Sequence, residues 1–164
     1  MVAYAASAKH LSMMPTIYAC EGAVSKLLLG QLAALTCLEN EPAWNSVQLG
    51  AAWAGREHLL VVEQQGQAVG YMVAAHVLDQ ADIHTVLVDI RQRGQGLAKA
   101  LLQSMIQRLR EQGVEQVFLE VRQGNLVAQA LYANQGFAVT GSRNNYYANK
   151  DGSKENAIMM MASL

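Results

Sequence analysis

The spacing of apolar residues changes along the chain, and each change marks an element. Leu28, Leu32, Leu35 and Leu38 recur at helical spacing behind Ser25, a good N-cap, and predict a helix from Ser25 to about Asn40. Residues 41–56 hold Pro42, Trp44, Trp53 and Gly55, and read as a second short helix with loops. From His58 the pattern is that of strands: Leu59–Val62, Ala68–Leu78 and Ile83–Asp89, turning at Gln65-Gly66 and at Asp79–Asp82. Connections this short predict an antiparallel meander. A helix over roughly Gln95–Gln112 carries a stripe of Leu97, Leu101, Met105 and Leu109, flanked by Ala98, Leu102 and Ile106, with Gly113 as its stop. Val117–Val121 is the next strand, and a strand–helix–strand crossover of this length makes its two strands parallel. Asn125 caps a short helix ending at Gly136, Phe137 opens a strand, Asp151-Gly152 signals a hairpin, and Ala157–Met161 closes the pattern.

Pro15–Ala19 reads as a first strand, and residues 1–14 are weakly patterned enough to be flexible. The expected fold is α/β. One domain over residues 1–164 has a mixed central sheet, an antiparallel meander followed by a parallel crossover, flanked by helices.

Composition narrows the function. Hydrophobic residues make up 52% of the 164 and charged residues 15%, enough apolar surface for one core and too little charge for a disordered chain. The formal net charge of −1 argues against direct nucleic-acid binding, which needs a broad basic field. Cys20 and Cys37 have no redox or metal spacing, and His10, His58, His76 and His84 form no ligand pattern, so no metal is expected. No signal peptide is evident, and the longest apolar stretch, Leu27–Leu38, is too short and too polar to span a bilayer. The expectation is a soluble cytoplasmic protein without a membrane partner.

The candidate chemistry begins where a strand meets a helix. Val86, Leu87 and Val88 lead into Arg93, Gly94, Gln95, Gly96, Leu97 and Ala98. Glycines there let a ligand approach the backbone, and a helix N-terminus favours a phosphate. Gly94-x-Gly96 lacks the third glycine of a dinucleotide fingerprint, and a plain tight turn is an equal reading of the motif alone. Arg91, Arg93 and Lys99 are the local cations. Downstream, strand alternation places Gln116, Phe118, Glu120 and Arg122 on one face. On residues alone, Glu120 reads as a partner for Arg122 or another cation, and Tyr132 as a core aromatic.

Arg93-Gly-Gln-Gly-Leu-Ala98 resembles the Q/R-x-x-G-x-G/A signature of the GCN5-related N-acetyltransferases (GNAT). Asn125, Ala128, Leu131-Tyr132 and Gly136-Phe137 resemble that family's second signature. The run Leu119–Arg122, Asn125, Ala130-Leu-Tyr132, Arg143-x-Asn145-Tyr-Tyr147 and Asp151-Gly152 is similar to the bacterial branch that acetylates the N-terminal alanine of small-subunit ribosomal protein eighteen. Ile90 stands where the family usually has proline, Ala98 where glycine is commoner, and Asn156 where that branch often has aspartate.

The resemblance implies acetyl-CoA as cosubstrate, its pyrophosphate on the Arg93–Ala98 turn, and backbone groups of Val86–Val88 near the thioester. It implies Asn125 on the pantetheine arm, Glu120 as general base and Tyr132 as general acid beside the sulfur. Arg93, which fills the motif position, is favoured for the phosphates. Arg143, Asn145, Tyr146 and Tyr147 would shape the acceptor groove, with hairpin packing an equal alternative. The implied acceptor is a protein N-terminal amine. Its pKa of ~7.7–8.0, against ~10.4 for lysine, lets a modest base suffice. The alternatives are acetylation of a small-molecule amine and a non-catalytic acyl-CoA-binding module.

Overall fold

The computed structural model describes residues 14–20, 24–38, 43–54 and 57–164. The flexible segment expected over 1–14 lies, apart from Met14, outside these residues. Seven strands, β1 (Thr16–Ala19), β2 (Glu57–Gln64), β3 (Gln67–Val77), β4 (Gln80–Val88), β5 (Gln116–Arg122), β6 (Ala138–Ala148) and β7 (Lys154–Ser163), form one mixed sheet in the order β1-β2-β3-β4-β5-β7-β6. The helices are α1 (Lys26–Ala33), α2 (Ser46–Ala54), α3 (Leu97–Glu111) and α4 (Leu126–Ala133). This is the expected α/β architecture: β1–β4 are antiparallel, and the α3 crossover makes β4 and β5 parallel.

Period-two alternation in β2 splits its side chains between two cores. Leu60 and Val62 pack with the α3 stripe Leu97, Leu101, Met105 and Leu109, and with Val117, Leu119 and Val121 of β5. Leu59 and Val61 face the opposite way, onto Leu32 of α1 and Leu49 and Ala52 of α2. Helices α1 and α2 lie over β2 and β3. On that face Phe118 and Glu120 of β5 and Met159 of β7 line an open cavity instead.

The first helix is shorter than its leucine spacing predicts and ends at Ala33, not near Asn40. Thr36 donates its N–H to Asp89 Oδ2 at 3.1 Å, and its carbonyl accepts the Ile90 N–H at 2.9 Å. Those backbone groups are committed to the distant strand end, so a helical ladder cannot continue through them. The turn between β3 and β4 also differs from expectation. It falls at Leu78-Asp79, with Leu78 left-handed at φ 56°, and β4 starts at Gln80. The register of Val77 against Gln80 leaves room only for a two-residue turn.

The ladder between β4 and β5 is brief. Gln80–Ile83 pair with Gln116–Leu119, and no pairing between the two strands follows. Val86–Val88 keep β3 on one edge and, among the described residues, have no strand on the other.

Candidate active site

The split between β4 and β5 opens onto a cavity of about 840 Å³, with Val86 and Val88 on one side and Tyr132 on the other. Arg93, Gly94, Gly96, Leu97, Ala98 and Lys99 form one end. Gly94 and Gly96 are both left-handed, at φ 78° and 77°, a conformation that favours glycine. No atom lies within 4 Å of where either would carry a Cβ. Gly96 is also the N-cap of α3, so the unpaired N–H groups of the first helical turn face this open end. The geometry fits a phosphate-bearing ligand laid along the turn. Arg93 donates from Nε to the Val88 carbonyl at 3.1 Å, which ties its stem to the strand end.

Asn125 lines the same cavity and caps α4, its Oδ1 accepting the Ala128 N–H at 3.1 Å. Tyr132 is 8% exposed, and burial, then the neighbouring Tyr147, pushes its hydroxyl up to about 12.

A second cavity, of about 690 Å³, is lined by Asp82, His84, Phe118, Glu120, Arg143, Tyr146, Tyr147 and Met159. Glu120 receives an ion pair from Arg143 Nε at 2.9 Å and shares its cavity with Tyr146. The proximity of Glu120, more than any other influence, raises the Tyr146 hydroxyl. Arg122, the partner strand spacing suggested, is turned elsewhere. It binds Glu155 Oε2 at 2.9 Å and Asn149 Oδ1 at 2.8 Å, and lies over the Tyr147 ring at 4.5 Å. Tyr147 is pushed up to about 12 by burial and then by Glu120, while itself acting on Tyr132. One tyrosine thus stands between the carboxylate of one cavity and the phenol of the other.

Most of the residues expected at the site assemble there. Glu120, Arg143, Tyr146 and Tyr147 gather in the second cavity, while Val86, Val88, Arg93, Gly94, Gly96, Leu97, Ala98, Asn125 and Tyr132 gather in the first. Leu87 is not among the lining residues, because alternation turns its side chain into the α1–α2 core. Gln95 hydrogen-bonds Gln64 and Gln92 on the outside of the turn. Arg91 is held by buried Asp89 at 2.8 Å, and its guanidinium keeps that carboxyl well below the usual range. Asn145 does not line the second cavity but shapes its wall, at φ 54° with its N–H given to Asn156 Oδ1 at 2.9 Å. Sequence reasoning missed Glu155, which accepts the Gly124 N–H at 2.6 Å and so holds the turn leading into α4. It also missed Asp82, Phe118 and Met159. Phe118 and Met159 follow from Glu120 by alternation and cross-strand pairing, once the strand order is known.

The two cavities border the diverging strands β4 and β5 and leave room for two ligands, as a group-transfer enzyme needs. The chain belongs to the acetyltransferase (GNAT) family, whose model matches residues 31–137. Two curated relatives, from Haemophilus ducreyi and Escherichia coli K12, are 39% and 40% identical over 97 residues, 59% of this chain. Both are named ribosomal protein bS18-alanine N-acetyltransferase, and the match spans 67% and 65% of their lengths, about two thirds. The crystal structure of the ribosomal-protein-S18-alanine N-acetyltransferase from Escherichia coli superposes with a TM-score of 0.79 at 31% identity, over 92% of this chain and 94% of that one.

Proposed function

We propose that this protein, acting as one catalytic domain, moves the acetyl group of acetyl-CoA onto the N-terminal α-amine of a protein, with the N-terminal alanine of ribosomal protein bS18 as the acceptor. The observation that carries the reading is the division of labour across the split. Glu120 lines one cavity and Tyr132 the other, and Tyr147, on the Glu120 side, is raised by Glu120 and in turn raises Tyr132. Acetyl-CoA supplies an activated acyl group on a thiolate leaving group. The glycine turn and the α3 N-terminus would hold its pyrophosphate, with Arg93 and Lys99 beside it and Asn125 along the arm.

The acceptor amine, entering beside Tyr146 and Tyr147, gives a proton to Glu120, directly or through a water. Its nitrogen bonds to the thioester carbonyl carbon, and backbone groups of Val86–Val88, unpaired towards β5, would meet the oxyanion. The carbon–sulfur bond then breaks, and the Tyr132 hydroxyl gives its proton to the departing thiolate. Among the described residues, no cysteine or serine lines either cavity, in keeping with direct transfer without an acetyl-enzyme.

Glu120→Gln and Tyr132→Phe are each expected to lower kcat about 10²-fold or more, with acetyl-CoA affinity nearly unchanged. Steady-state rates on an alanine-initiated peptide, with calorimetric titration of acetyl-CoA, test this. Full activity in both variants overturns the assigned roles. The same assay on a panel of small amines decides the acceptor class. Faster turnover of a small amine than of the peptide overturns the peptide reading.

A further inference from the structure

Strand β6 does something a regular strand cannot: it turns two consecutive tyrosines, Tyr146 and Tyr147, into one cavity. Neighbouring residues in a strand point to opposite faces. The exception has a visible cause in the register. Arg143 pairs with Ala157 and Tyr147 with Glu155, so four residue steps on β6 are matched by two on β7. The surplus forms a bulge over Asn144, Asn145 and Tyr146, opposite Asn156. Bulges of this kind re-aim side chains beside functional sites. This one turns Tyr146 into the cavity that Glu120 lines, where the Tyr146 ring meets Tyr147 edge-on at 5.0 Å between centroids.

The bulge needs a support, because its centre is strained. Asn145 sits at φ 54°, a left-handed conformation that costs any residue but glycine free energy. Its N–H has lost its ladder partner. Asn156 supplies one, accepting that N–H on Oδ1 at 2.9 Å. The same side chain donates from Nδ2 to Gln123 Oε1 at 2.9 Å, and the Asn156 carbonyl accepts the Gln123 N–H at 3.0 Å. Gln123 belongs to the turn that leads to Asn125 and α4. One side chain therefore joins the acceptor bulge to the segment bordering the donor cavity.

We infer that Asn156 is a positioning residue for the acceptor: it pins the β6 bulge so that Tyr146 and Arg143 present Glu120 to the incoming amine. The inference rests on the acceptor reading above. It requires an amide or carboxylate oxygen at this position, because an acceptor must meet the Asn145 N–H. Asn156→Asp keeps that oxygen, and the Gln123 amide can rotate to donate to the new carboxylate. Asn156→Ala removes it.

The test measures KM and kcat for an alanine-initiated peptide, with acetyl-CoA affinity and thermal midpoint measured on the same samples. Asn156→Ala should raise the peptide KM about tenfold, in line with misplacement of a substrate-positioning group, and leave acetyl-CoA affinity unchanged. Asn156→Asp should restore the wild-type KM. Should Asn156→Ala fold poorly, Asn156→Asp carries the test, since an altered peptide KM there at an unchanged thermal midpoint overturns the inference. Asn145→Gly relaxes the left-handed strain, and in the Asn156→Ala background it should recover part of the lost KM. An unchanged peptide KM in Asn156→Ala, with the wild type active, overturns this inference alone. Equal losses of donor and acceptor affinity, tracking a fall in the thermal midpoint, overturn it as well, since a merely structural role behaves that way. A wild-type protein inactive on every peptide overturns the acceptor reading, and the inference falls with it.

Discussion

Tyr132 keeps its proton well past neutrality. Burial raises its hydroxyl from 10.0 to about 12, so at neutral pH the phenol is fully protonated, as the proposed acid role requires. The raised value has a stability consequence. The folded state holds this proton more tightly than the unfolded chain, so the contribution is complete below pH 10.0 and is lost as pH rises to about 12. Tyr132→Phe should therefore lose less stability than the wild type across that window. Denaturant midpoints measured on both sides of it check the difference, and equal losses would contradict the burial argument. At this scale the candidate acid and base were legible through the family resemblance. Arg143 as the partner of Glu120 was not. The two residues are far apart in sequence, and strand alternation pointed to Arg122.

Elements show where local patterning held and where tertiary contacts overrode it. The α3 stripe of Leu97, Leu101, Met105 and Leu109 is fully internal, as its spacing requires. Helix α1 stops early because Asp89 takes the Thr36 N–H, a contact no local pattern contains. Gly70, inside β3, is the other override. A Cβ there would lie 2.7 Å from the Leu87 carbonyl oxygen and 3.0 Å from Val62 Cγ1. The first of these is backbone and cannot rotate away. Gly70→Ala should cost about 1–3 kcal/mol as overpacking, read as a lower denaturant midpoint with an unchanged slope. Because Leu87 lies between Val86 and Val88, the same change should also weaken acetyl-CoA binding. Stability at the wild-type level would show that β4 yields more easily than its position between β3 and the split implies.

Across the whole molecule, a cluster of three side chains ties β2, β3 and α3 together. His58 of β2 shares a ring-nitrogen hydrogen bond of 2.8 Å with His76 of β3, and Arg108 of α3 donates to His58 Nδ1 at 3.3 Å. Burial, then His76 and Arg108, lowers His58 from 6.5. The unfolded chain binds this proton more readily, so the contribution is present above pH 6.5 and is lost as pH falls below it. Replacing His58 with Gln should flatten the acid side of the thermal-midpoint profile, followed by calorimetry from neutral pH to about pH 5. An unaltered slope would mean that other groups set the acid limit.

Taken alone, the sequence determined the parts of this protein that depend on near neighbours. Periodicity placed most of the strands, glycines marked the α3 N-terminus, and the Arg93–Ala98 and Asn125–Phe137 motifs identified the family, because each signal lies within a few consecutive residues. The tertiary structure decided the cavity around Glu120. A split after four parallel pairs, a bulge opposite Asn156 and the Arg143–Glu120 pair all arise from register between strands distant in the chain. Alternation would have sent Tyr146 and Tyr147 to opposite faces. Only the two surplus residues of β6 bring both to Glu120, and a surplus exists only relative to a partner strand.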